Sequence, residues 1–260
     1  MLDTPDTAHV PFTHIYEPAE DSYLLLDTFS SPPLTTLFRS LFPISPASSP
    51  SPLILEIGTG SGVVLAFLTA HAETIFGRQD VLAWGVDINE HACRATGETV
   101  AVALREAGQE TGGTYIGNSV GDLTSAVKAG SVDVLVFNPP YVPTPDVPVL
   151  QDGDGDAEAP KDREEAYERE SRLLALSYAG GRDGMEVTDR LLAEIPRVLS
   201  QRGSAFVLLC AQNKPESVMA GVRKWEGGGR WEAEVVGRSG KKGGWEKLVV
   251  VRIWRVSGGE

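Results

Sequence analysis

The chain has 260 residues, 42% hydrophobic and 23% charged, with a formal net charge of -13 and only two cysteines. That is the composition of an ordinary globular chain, and it excludes the disordered, collagen-like and disulfide-scaffolded classes. The negative charge disfavours binding along an extended phosphate backbone, and no apolar run approaches the roughly 20 residues a membrane-spanning helix needs.

Taken in chain order, the first 27 residues carry six carboxylates (Asp3, Asp6, Glu17, Glu20, Asp21, Asp27) and no Lys or Arg. This is the opposite of a secretory or transit signal, so a cytosolic or nuclear protein is expected. Residues 30 to 52 are rich in Pro and Ser and read as an irregular connection around an apolar piece, Leu34 to Phe42. Leu53 to Ile57, Val81 to Asp87, Val132 to Phe137 and Ser204 to Ala211 are short, dense apolar runs, the pattern of strands buried on both faces. A weaker extended piece, Thr114 to Ile116, adds a strand. Helices are expected at Val63 to Ala70, Asn89 to Glu106 and Glu186 to Leu199, with Pro196 kinking or shortening the last. Residues 152 to 170 hold nine acids against three bases and read as a solvated loop. Trp231 to Val236 and Lys247 to Trp254 read as a hairpin joined by a Gly/Lys loop.

Alternating strands and helices point to one α/β domain over residues 1–260: a doubly wound, mostly parallel, seven-stranded sheet ending in an antiparallel hairpin. An N-terminal helical and Pro/Ser-rich extension (1–52) and an acidic insertion (144–167) complete it. Cys93 and Cys210 lack metal-ligand spacing and read as small buried apolar groups.

The chemistry-bearing motifs sit where strands end. Glu56-Ile57-Gly58-Thr59-Gly60-Ser61-Gly62 joins the first strand to an apolar helix, so backbone N–H groups can approach a ligand closely. The dinucleotide pattern needs glycine where Val63 stands, and the spacing suits S-adenosylmethionine better. Asp87 ends the second strand, where a carboxylate can take two ribose hydroxyls or cap the next helix. In Gly121-Asp122-Leu123 a carboxylate and a backbone N–H can meet adenine, although a plain turn is the commoner use. Asn138-Pro139-Pro140-Tyr141 leaves the fourth strand without a break. The prolines fix the backbone so that Asn138 Oδ1 and the Pro139 carbonyl can trap a planar NH2 group, with the Tyr141 ring as a wall offering cation-π stabilisation.

With these motifs the sequence resembles the HemK-type amino-methyltransferases, specifically the eukaryotic enzymes that methylate the glutamine of the Gly-Gly-Gln loop of a translation termination factor. The resemblance also rests on Tyr16-Glu17-Pro18-Ala19-Glu20-Asp21-Ser22 and on Ala179-Gly180-Gly181-Arg182-Asp183-Gly184. It implies a Rossmann-like class I methyltransferase using S-adenosylmethionine. It further implies that Ser22, Glu56 and Gly58 contact the methionine end, Asp87 the ribose, and Asp122 with Leu123 the adenine. Gly60 lies in the same cofactor turn, and Asn138 binds the substrate amide beside the cofactor. The family implies a heterodimer with a small zinc-binding activator protein, docked at the edge strand near Thr114 to Ile116, where unpaired backbone groups allow strand addition. An N6-adenine methyltransferase lacks support from a basic groove, and a lysine-directed (histone) methyltransferase lacks an evident base.

Overall fold

The computed structural model of the protein describes residues 2–44, 49–108, 112–149, 162–226, 229–240 and 247–256. The chain runs α1 (Glu20–Ser30), α2 (Pro32–Leu41), β1 (Leu53–Ile57), α3 (Val63–Ala70), α4 (Ala72–Phe76), β2 (Leu82–Asp87) and α5 (Glu90–Ala107). It continues with β3 (Thr114–Val120), β4 (Val132–Phe137), α6 (Arg163–Ala175), α7 (Glu186–Val198), β5 (Leu199–Cys210), α8 (Pro215–Val222), β6 (Arg230–Arg238) and β7 (Leu248–Val256).

Seven strands form one sheet in the order β3-β2-β1-β4-β5-β7-β6. β3 through β5 pair parallel, while β7 pairs antiparallel with both β5 and β6. This is the doubly wound, mostly parallel seven-stranded sheet with an antiparallel C-terminal hairpin expected from the sequence, and it agrees with the Rossmann-like fold that the resemblance implies. Because successive strand residues face opposite ways, the two faces bury alternate positions. Ile54, Val134, Val136, Phe206 and Leu208 pack with α1 to α4 on one side. Leu55, Leu135, Phe137, Val207 and Leu209 pack with α7 and α8 on the other.

Four expectations need correction. The connection expected at 30 to 52 is not irregular throughout: Pro32 and Pro33 start α2 at positions where a missing N–H costs nothing, and Phe38 and Phe42 of its apolar piece enter the core. The acidic stretch is not all loop, because Asp162 caps α6 by accepting from the Glu164 and Glu165 N–H groups. Its Glu and Arg residues are good helix formers, which a charge count does not register. The part of the acidic run at 150–161 and the Gly/Lys connection at 241–246 lie outside the described residues. Pro196 sits in the final turn of α7, which still reaches Val198, so the helix is not cut short. β3 extends four residues further than expected, to Val120, across a register shift that leaves Ile116 without a partner on β2.

Candidate active site

Strand order reverses between β1 and β4, which opens a crevice at their carboxyl ends. Ser22, Glu56, Gly58, Gly60, Asp87, Asp122, Leu123 and Asn138 all line one cavity there. Residues separated by up to 116 positions in the chain are thus brought together as the motifs predict. Two members of the Asn-Pro-Pro-Tyr corner differ from expectation. Pro139 is buried and Tyr141 half-buried against the core on the α1 side, and neither lines the cavity, whereas Pro140 does.

The glycine turn is shaped by close packing. Gly62 has φ 80°, and a Cβ there would come 2.5 Å from Thr96 Cα of α5, so only glycine lets α3 start so near α5. Asp87 Oδ2 accepts from the Gly60 N–H at 3.0 Å, tying the turn to the end of β2. Its Oδ1 accepts from the Asn89 N–H at 2.8 Å. Asp87 does not cap α5; Asn89 does, accepting from the His91 N–H. Leu123 holds φ 50°, a left-handed conformation that is strained for a residue with a side chain.

The electrostatics are one-sided. Burial raises the pKa of Glu56 well above the usual carboxylate range, with the nearby Asp87 adding to the rise. Burial likewise raises Asp87, against backbone hydrogen bonds that lower it. Glu56 Oε2 and Asn138 Oδ1 are buried without a hydrogen-bond partner. Unpaired buried acceptors are costly, so a cavity lined with them suits a ligand rich in donors and positive charge. S-adenosylmethionine, with an ammonium, a sulfonium and a ribose diol, has that character, and the residues fit it.

The Asn-Pro-Pro-Tyr corner is held from behind. The Val142 N–H donates to the Tyr178 carbonyl at 2.9 Å, and the Gly180 N–H donates to the Val142 carbonyl at 2.8 Å. Gly180 and Gly184 lie so close that a Cβ on them would meet the Pro140 and Tyr141 carbonyl oxygens at 2.3 and 2.0 Å. Asn213 donates to the carbonyls of Tyr141, Asp183 and Gly184 at 3.3, 3.2 and 3.3 Å. The glycine-rich 179–184 motif is thus the backing plate of the corner.

No family model matches the chain. It is 32% identical to the eRF1 methyltransferase catalytic subunit mtq2 of Schizosaccharomyces pombe, over 98% of this chain and 97% of that one. The chain belongs to the Mtq2/HEMK2 family of methyltransferases. It is also 32% identical to human methyltransferase HEMK2, over 83% of this chain and 82% of that one. Among solved structures, the E. cuniculi Mtq2–Trm112 complex, responsible for methylation of the eRF1 translation termination factor, contains a similar fold. The match has a TM-score of 0.53 and 22% identity, and it covers 94% of this chain and 99% of that one.

In this Mtq2/HEMK2-type methyltransferase the cavity is also lined by residues that the motifs alone did not single out. Arg190 of α7 lines the cavity and forms an ion pair with Asp122 Oδ2. Its helical phase marks it only as polar. His14, Ile15 and Tyr16 supply one wall, and Leu173 and Leu176, on and just after α6, supply an apolar one. Asp21, within a quoted motif but given no role, donates nothing and accepts from Asn138 Nδ2 at 3.0 Å.

Proposed function

We propose that this enzyme transfers a methyl group from S-adenosylmethionine to the side-chain amide nitrogen of a glutamine, the one in the Gly-Gly-Gln loop of a class I translation release factor. The observation that carries the proposal is the near full-length likeness to an eRF1 methyltransferase catalytic subunit, joined to a buried, unpaired Asn138 Oδ1 beside a cation-suited cavity. When bound, the cofactor supplies an electrophilic methyl on a sulfonium. Glu56 and Ser22 would hold its methionine end, Asp87 its ribose, and Asp122 with Leu123 its adenine, with Gly58 and Gly60 letting the backbone approach.

The chain's own contribution is chiefly positioning. An amide nitrogen is a weak nucleophile because its lone pair is delocalised, so orientation supplies much of the rate. Asn138 Oδ1 is the acceptor proposed for the substrate NH2, with the adjoining Pro139 carbonyl as a second although Pro139 does not line the free cavity. As positive charge moves onto that nitrogen, these acceptors bind it more tightly than in the ground state. No side chain is assigned as base, and the surplus proton passes to water.

We also assign this chain a small zinc-binding activator as partner, docked on the outer edge of β3, and a cytosolic or nuclear location. In support, β3 is an edge strand, and its apolar Ile116 and Val120 are 52% and 61% exposed. No observation favours an adenine or lysine target. The deciding assay is methyl transfer from labelled cofactor, with the activator present, to a release factor carrying its loop glutamine or a replacement. Label should enter the glutamine form alone; equal labelling of both forms would overturn the assignment.

A further inference from the structure

An asparagine side chain has two ends of opposite polarity, an acceptor oxygen and a donor nitrogen, and a site that must grip an NH2 group can use only the oxygen. Asn138 is held with its Nδ2 donating to Asp21 Oδ2 at 3.0 Å, while its Oδ1 is buried without a partner. Asp21 is itself fixed. It is only 4% exposed, and its Oδ1 accepts from the Ser22 backbone N–H at 2.6 Å and from Ser22 Oγ at 3.3 Å. It stands in the first turn of α1, where the aligned peptide dipoles favour negative charge. Three donors converge on a group that, when ionised, can only accept.

From this geometry we infer that Asp21 is the positioning residue that sets the polarity of the Asn138 amide, forcing the nitrogen away from the substrate and the oxygen toward it. An ionised carboxylate rejects the flipped amide, which would place two oxygens face to face. Asp21 thereby makes the corner select a carboxamide over a carboxylate, without itself touching the substrate. The inference rests on the amide reading of the site given above.

The test is Asp21→Asn, which keeps shape and removes the charge. With the Ser22 N–H still donating to its oxygen, the new side chain turns an NH2 toward Asn138. Asn138 then flips to accept from it and presents its own NH2 to the substrate. The full chain with its activator is assayed on release factor carrying glutamine or glutamate in the loop. Affinity for S-adenosylhomocysteine is measured by calorimetry in parallel. In Asp21→Asn, kcat on the glutamine form should fall by about 100-fold, the order seen for loss of one transition-state hydrogen bond, with S-adenosylhomocysteine affinity held within about threefold. The binding preference for glutamine over glutamate should reverse in Asp21→Asn and merely vanish in Asp21→Ala, where the amide is free to turn. A change of fold alone cannot reverse a preference. Turnover of Asp21→Asn within about threefold of the parent, an unchanged glutamine preference, or loss of S-adenosylhomocysteine binding would overturn the inference. The parent enzyme separates this from the wider reading: if it fails to methylate the glutamine form, the amide assignment falls first.

Discussion

At the scale of single residues, two buried oxygens of the site, Glu56 Oε2 and Asn138 Oδ1, are short of donors. Glu56 and Asp87 are held in conditions that disfavour their charged forms, and burial is the leading cause for both. A carboxyl group whose pKa is raised by folding binds its proton more readily in the folded state than in the unfolded one. The free protein therefore gains stability from Glu56 as pH falls through its raised folded-state pKa, and loses that gain as pH rises. Binding a cationic cofactor needs the ionised form and runs the other way. Affinity for S-adenosylhomocysteine, measured by calorimetry from mildly alkaline to mildly acidic pH, should weaken as Glu56 protonates. In Glu56→Gln the affinity should be lower throughout and the Glu56 component of the pH dependence lost. An identical pH profile in that variant would remove Glu56 from the ligand's ammonium. Asp87→Ala should weaken the same ligand by roughly 10- to 100-fold, the worth of charge-assisted hydrogen bonds, in the same measurement.

At the scale of elements, the corner after β4 is only as rigid as the segments behind it. Gly184 has φ 68° and faces the Tyr141 carbonyl with no room for a Cβ. Gly184→Ala should cost about 1–3 kcal/mol of stability through overpacking and backbone strain, read from denaturant unfolding. Its kcat should fall more than its cofactor affinity does, because a small displacement of Asn138 misaligns the substrate amide. Asn213, 2% exposed, is a second brace, since its Oδ1 accepts from the Cys210 N–H at 2.8 Å while its Nδ2 serves the corner. Asn213→Ala leaves buried backbone groups unpaired and should destabilise by a similar 1–3 kcal/mol, or about the cost of buried unsatisfied polar groups. Stability equal to the parent in both variants would show that the corner holds itself.

At the scale of the whole molecule, the two ends of the sheet differ. Both end strands are backed by a helix, β3 by α5 and β6 by α1, where Gly237 lies so close to Thr28 that a Cβ would come 2.1 Å from its Oγ1. β3 differs in carrying exposed Ile116 and Val120, and it is interrupted by a bulge with Gly117 at φ 119°. Exposed apolar side chains on an open edge are an aggregation hazard unless a partner covers them. Ile116→Glu with Val120→Glu should abolish co-purification with the activator while leaving the free chain more soluble, as read by size-exclusion chromatography. A heterodimer that survives both charges would move the interface elsewhere.

Sequence alone determined the order of the strands, the three helices at 63–70, 89–106 and 186–199, and the expected ligand class, because these are written in short-range patterns. Leu53–Ile57 lies between Pro52 and Gly58, Val63–Ala70 follows Gly62, and Val132–Phe137 stops at Asn138, so each is bounded at one or both ends by a residue that breaks the apolar run. The cofactor turn and the Asn-Pro-Pro-Tyr corner likewise carry their chemistry in adjacent residues. Tertiary structure decided what depends on partners far along the chain. Asp21 and Asn138 meet across 117 positions, Arg190 and Asp122 across 68, and Asn213 and Tyr141 across 72. It also packed Tyr141 against the core and drew α2 and α6 out of stretches whose composition suggested loops. Local pattern reports what a residue can do; which way an amide faces depends on the group packed against its other end.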